Sequence, residues 1–196
     1  MKKPYHHGNL AESLLDAMDE IATKFGLEAV TLRGCAKRVG VSPSSAFRHY
    51  IDKRALLTAF ATRALLQLSD AMATAKQKAQ IEKTDALHAV GLAYIAFALE
   101  KPAFFRAMWR EEAIYSTDED YVAAANKLSE HLKGGFADTI KDDDPTSLSH
   151  QELLVWSCVH GLANLYIDGP VARDESNPQK LARASEAIHI LVPALQ

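Results

Sequence analysis

The sequence has little cysteine, few strand signals and no long apolar run. Two cysteines among 196 residues, Cys35 and Cys158, share no partner spacing, which excludes a disulfide framework and a CxxC metal site. The expectation is a reducing, cytoplasmic home. No stretch of about 18 uncharged apolar residues occurs, so no membrane-spanning helix is expected. The opening MKKPYHHGNL is basic but has no apolar core of a signal peptide. Catalytic signatures are missing too. There is no Gly-rich phosphate loop, nucleophile elbow or HExxH. Glu111 and Glu112 are adjacent on an expected helix and face different directions. No two histidines stand four apart on one helix beside a carboxylate of obvious role. His6-His7 reads as an unstructured arm or a phosphate contact rather than a metal site. No enzyme activity, metal or cofactor is expected.

The net charge is −3, which argues against a nucleic-acid partner until its distribution is considered. Through Leu56 there are nine Lys/Arg against six Asp/Glu. The remainder holds thirteen against nineteen. A basic first quarter on an acidic body points to a nucleic-acid contact at one end.

Apolar residues make up 48% of the chain, enough for a core, and helix punctuation recurs throughout. Asn9 with Glu12 three residues on forms a capping box. Leu10, Leu14, Met18, Ile21 and Phe25 then share a face, and Gly26 ends the helix as a left-handed residue. Thr31 caps a short second helix. Asp52 caps a long one, expected over about 53–78, with Leu56, Phe60, Ala64, Leu68 and Met72 in one stripe. The polar run KQKAQIEK (76–83) ends it and reads as a domain boundary. An apolar helix follows Thr84, and Pro102 starts another. The acids of STDED (116–120) suit the start of a further helix, which bends or breaks near Gly134-Gly135. DDDPTS (142–147) is a loop. Ser149 with Glu152 opens a helix that Gly169-Pro170 closes. Asn177-Pro178 starts the last, which carries Leu181, Ala184, Ile188 and Leu191. The fold class is all-α, with about nine helices.

The stretch SPSSAFRHY (42–50) reads at first as a loop. Ser42, however, can cap a helix, and Pro43 suits a first turn that needs no N–H. Pro43, Phe47 and Tyr50 then share one face, while Ser44, Ser45 and Arg48 point away from it. Upstream, Ala36 permits a close crossing and Gly40 supplies a positive φ for a tight turn. Helix, glycine turn, helix is the pattern whose second helix enters a major groove. Arg48 is the candidate base reader, arginine being the usual partner of guanine. His49 is either a phosphate contact or packing. Phe47 and Tyr50 are read chiefly as core.

TLRGCAKRVGVSPSSAFRHYIDKRALL resembles the DNA-binding segment of TetR-family transcriptional repressors. Shared features are a Thr, an Ala, a Gly-Val-Ser turn, an aromatic-x-His-aromatic run and an Asp-Lys before a leucine-rich helix. The lead-in YHHGNL and the later WSCVHG (156–161) are similar to one branch of that family. The resemblance implies an all-helical homodimer on a palindromic double-stranded operator. Its N-terminal helix-turn-helix domain of three helices would occupy 1–56, and a ligand-binding and dimerisation domain 57–196. It places Thr31, His49 and Lys53 on phosphates and makes Ser42–Tyr50 the recognition helix, with Ser42, Ser44, Ser45, Arg48 and Tyr50 facing DNA. Three departures stand out. Phe47 replaces a usual Tyr, Gly34 a usual Glu, and Cys35 a β-branched residue.

The second domain carries candidates for a small apolar or aromatic ligand. Tyr94, Phe97, Phe104, Phe105, Met108 and Trp109 cluster on two consecutive helices, as core or as a pocket. Trp156, His160 and Asn164 share a face of the WSCVHG helix. Trp156 and His160 either line that pocket, or pack as core and bond a backbone carbonyl respectively. Ser157, Gly161 and Leu165 form a neighbouring face suited to a dimer contact, with Leu181 and Ile188 added from the last helix. The alternatives are an activator, or a helical ligand-binding protein or enzyme without a DNA role.

Overall fold

The structure, a computed structural model, describes residues 10–133 and 148–191. The described residues form nine α-helices and two short 3-10 turns, with no strand. The expectations at Asn9, His6-His7, Gly134-Gly135 and DDDPTS fall outside them. Two compact units divide the chain. One is Met1–Ala64 with Ala103–Tyr121; the other is Leu65–Pro102 with Val122–Gln196. The division differs from the expected break after residue 56. It falls inside the long helix, and a later segment returns to the first unit.

In the first unit, α1 (Leu10–Phe25) is followed by a 3-10 turn at Leu27–Ala29, then α2 (Leu32–Val39) and α3 (Pro43–Phe47). Leu14, Leu15, Ala17, Met18 and Ala22 are the buried residues of α1. The expected stripe is corrected at its end, where Phe25 is 61% exposed. Gly26 has the expected positive φ of 84°. Its ψ of 161° lies outside the left-handed helical basin, so the chain leaves extended. Thr31 caps α2 by accepting the Gly34 N–H at 3.0 Å. Gly40, at φ 83° and ψ 29°, closes it. The N–H groups of Gly40 and Val41 both return to the Ala36 carbonyl, at 2.9 and 3.0 Å, satisfying carbonyls that a helix end leaves open.

α4 (Lys53–Glu82) contributes residues to both units. At ~1.5 Å per residue it is about 45 Å long. Asp52 caps it through the Ala55 N–H at 2.7 Å. Leu56, Phe60, Ala64, Leu68 and Met72 are all buried, as the stripe predicts. The expected end near residue 78 is corrected, since the helix runs through most of KQKAQIEK. It ends at Glu82, just before Lys83, whose φ is 54°. Polar residues with good helix propensity continue a helix rather than stop it.

The first unit is completed by α6 (Pro102–Met108), a 3-10 turn at Glu111–Ala113 and the chain to Tyr121. α6 stops at Met108, earlier than AFFRAMWREEAI suggested. In the second unit, α5 (Ala86–Glu100) packs chiefly against α8 (His150–Ile167) and α9 (Asn177–Leu191). α7 (Glu119–Ser129) is the remaining helix. α8 opens with the expected capping box, in which Ser149 Oγ accepts the Glu152 N–H at 3.2 Å. Glu152 Oε2 accepts the Ser149 N–H at 2.8 Å.

Candidate nucleic-acid interface

α3 is held by few of its own side chains. Ala46 is its only buried residue. Pro43, Ser44, Phe47, Arg48 and His49 are exposed. The core role expected of Phe47 is therefore corrected; the residue is 44% exposed. Tyr50, just past the helix, does the anchoring. Its hydroxyl donates to the Ala11 carbonyl at 3.3 Å, and burial pushes its pKa up to about 12. The expected DNA-facing hydroxyl of Tyr50 thus points back to α1.

The first turn of α3 closes on itself. Ser42 Oγ accepts the Ser45 N–H at 3.2 Å and lies 2.9 Å from Ser45 Oγ. Arg48 Nη2 donates to Ser45 Oγ at 3.3 Å, which draws the guanidinium along the helix surface. Ser42, Ser45 and Arg48 are brought together, with Ser44 exposed beside them. Thr31 spends its hydroxyl oxygen on the α2 cap. Lys53 Nζ donates to the carbonyls of Leu27 and Glu28, both at 3.3 Å. His49 is exposed, and its N–H goes to the Ala46 carbonyl at 3.0 Å.

The sequence alone did not signal a polar strap that fixes the start of α4. Arg54 Nε donates to the Ile114 carbonyl at 2.8 Å, and its guanidinium lies 4.6 Å from the Tyr115 ring centre. The Tyr115 N–H donates to Thr58 Oγ1 at 2.9 Å, and its hydroxyl to Asp52 Oδ2 at 2.6 Å. That last bond, with the Ala55 N–H, holds the Asp52 carboxyl below its ordinary range. Arg110 donates to Glu28 at 2.5 Å and holds that carboxyl low as well. The strap's residues lie 57 to 82 positions apart, beyond the reach of any local pattern.

Family models cover most of these elements. Residues 14–60 match "Bacterial regulatory proteins, tetR family", and residues 87–187 match "Tetracyclin repressor-like, C-terminal domain". The chain belongs to the TetR family of transcriptional regulators. An uncharacterised HTH-type transcriptional regulator of Bacillus subtilis strain 168, YobS, is 30% identical over 100 residues. That match spans about half of each chain, 51% of both. Solved structures share the fold. A protein of unknown function from Rhodococcus sp. RHA1 is 24% identical, with a TM-score of 0.72 and 98% of each chain covered. The TetR-family regulator PfmR of Thermus thermophilus is 20% identical, with a TM-score of 0.61. That match covers 91% of this chain and 96% of the other.

The ligand candidates of this TetR-family chain divide between its units. Phe105 and Trp109, in the first unit, meet edge to face at 6.3 Å. Tyr94, Phe97, Trp156, His160 and Asn164 belong to the second. Tyr94 is 1% exposed, and its hydroxyl lies 2.8 Å from His160 Nδ1. His160 therefore meets a side chain through Nδ1. The Trp156 and His160 ring centres are 6.1 Å apart. Asn164 Nδ2 donates back to the His160 carbonyl at 2.9 Å. Phe97 is buried, with Lys101 Nζ 5.7 Å from its ring centre.

Tyr94 and Trp156 line a cavity with Met72, Leu87, Gly91 and Glu152. Its volume is about 30 Å³. That holds a water or two and is an order of magnitude below the pockets that take drug-sized ligands.

Among the dimer candidates, Ser157, Gly161, Leu165 and Ile188 line one open groove between α8 and α9, of about 570 Å³. Ile188 also reaches inward, since its Cδ1 lies 3.3 Å from where a Cβ on Gly91 would stand. Leu181 is half-buried and is not part of the groove lining. Among the described residues no group of three His, Cys, Asp or Glu could hold a metal, and no helix is long and apolar enough to cross a membrane.

Proposed function

We propose that this regulator is a dimeric repressor that binds a palindromic operator through α3 and leaves it when a small apolar or aromatic molecule enters the second unit. The exposure of α3 carries the reading. One alanine anchors the helix while Ser44, Arg48 and His49 face out. From Thr31 to Lys53 there are five Lys/Arg and one Asp/Glu, the balance a polyanion selects. Arg48 reads a guanine edge in the major groove. Thr31, His49 and Lys53 take phosphates, Lys53 by exchanging its carbonyl partners for a phosphate oxygen.

Repression is supported by the family model over residues 87–187, described as tetracyclin repressor-like. The apolar cavity beside Tyr94 and Trp156 is the entry point for the ligand, which has to open it to fit. The α8–α9 groove pairs with its copy in the dimer. Ligand entry then changes how the two recognition helices fit half-sites roughly 34–36 Å apart, with α4 transmitting the change.

The test is DNA selection from genomic fragments, followed by competition with unrelated DNA. Arg48→Ala is expected to lose about 1–3 kcal/mol of preference for the selected site and to keep its non-specific binding. An Arg48→Ala protein with undiminished preference sinks the base-reading role.

A further inference from the structure

α3 exposes an apolar side chain where the fold has no use for it. Phe47 is 44% exposed, and Pro43, one turn earlier on the same side, is exposed with it. Ser44 and Arg48 form the adjacent row, also one turn apart. A phenyl ring has no hydroxyl or charge for a phosphate, and leaving it in water forfeits apolar burial. We propose that Phe47 is a specificity-determining residue that packs on the 5-methyl group of a thymine in the operator's major groove. This rests on the DNA-binding reading above.

Two observations select this occupant. First, thymine alone among the bases presents a methyl group in the major groove, and apolar side chains are what read it. Second, the surroundings are cationic. Of the five basic residues from Thr31 to Lys53, Arg33, Lys37 and Arg48 are exposed, while Arg38 is paired with Glu20. The single acid, Asp52, is engaged by Tyr115. A second copy of this face would bring like charges together, whereas DNA brings phosphates. The two rows of α3 then divide the reading, with Arg48 on a guanine and Phe47 on a neighbouring thymine.

The experiment uses the full-length protein and duplexes it selects from a random-sequence pool. Each invariant thymine in the selected half-site is replaced by deoxyuridine, which removes the methyl group and keeps every base-pairing hydrogen bond. Wild type is expected to lose roughly fourfold in affinity at one thymine per half-site, the value of one buried methyl. Phe47→Ala should bind the thymine and deoxyuridine duplexes equally, and Phe47→Tyr, which keeps the ring, should still discriminate. The proposal is overturned if wild type is indifferent to every methyl, if the half-site has no invariant thymine, or if Phe47→Ala discriminates as wild type does. It is also overturned if Phe47→Ala changes the oligomeric state without DNA, since a second copy then covers the ring. Failure to select any duplex refutes the DNA-binding reading itself; selection without methyl dependence refutes only the role of Phe47.

Discussion

At Phe47 and Tyr50, three positions apart, the sequence suggested one shared face, and the structure separates them. Tyr50 packs and bonds to α1 while Phe47 stays in solvent. The helical period supposes that the helix continues, but α3 ends at Phe47 and Tyr50 lies beyond it. Cys35, read from sequence only as a departure from a usual β-branched residue, is buried. Its thiol is pushed up to about 11 by burial, so it stays protonated at neutral pH and is a poor nucleophile. His160 was identifiable as a candidate, but its partner Tyr94 lies 66 residues away and was not. Burial holds its imidazole below the ordinary 6.5. As pH falls through that value the unfolded chain takes a proton before the native state does, so stability falls on acidification. Burial of His131 adds a contribution of the same sign. The urea midpoint of wild type should drop from about pH 7 to about pH 5.5, and its margin over His160→Gln should narrow. A margin that widens on acidification contradicts a neutral buried His160.

Caps and turns were the most legible features among the elements. Thr31, Ser42, Asp52 and Ser149 all cap the helices they precede, because a cap is a contact three or fewer residues long. Helix ends set by the absence of a stop were less legible, as the run of α4 through KQKAQIEK illustrates. Ala36 marked the local crossing of α2 and α3, but crossings between helices far apart in the chain were not legible. Gly91 lies where α5 meets α8 and α9. A Cβ there would stand 3.3 Å from Ile188 Cδ1 and 3.5 Å from Val159 Cγ2. Gly91→Ala sets a small helix-propensity gain against this tight contact. Gly91→Leu has no such balance and should cost about 1–3 kcal/mol by overpacking, read from chemical denaturation. Unchanged stability would mean that α5 does not cross so closely.

At the scale of the whole molecule, the proposed dimer is where one position separates folding from assembly. Among the described residues, no heavy atom beyond Gly161's own neighbours and helix backbone comes within 4 Å of a Cβ built there, so α8 has room for a side chain at that position. A partner's helix lying in the α8–α9 groove would not. Gly161→Leu should therefore keep its helical content and thermal stability, elute as a monomer on size exclusion, and bind a palindromic operator more weakly than wild type. A Gly161→Leu protein that remains a dimer would move the interface off this face.

The sequence by itself determined the helices, most of their caps, the glycine turn between α2 and α3, and the family, since each is written in residues a few positions apart. Only the tertiary structure decided which side chains those helices bury. It sent Tyr50 inward, left Phe25 and Phe47 out, assigned residues 103–121 to the first unit, and joined Tyr115 to the start of α4. Burial is a property of what lies opposite a helix. What lies opposite is set by contacts between residues tens of positions apart, and the periodicity of one helix carries no information about them.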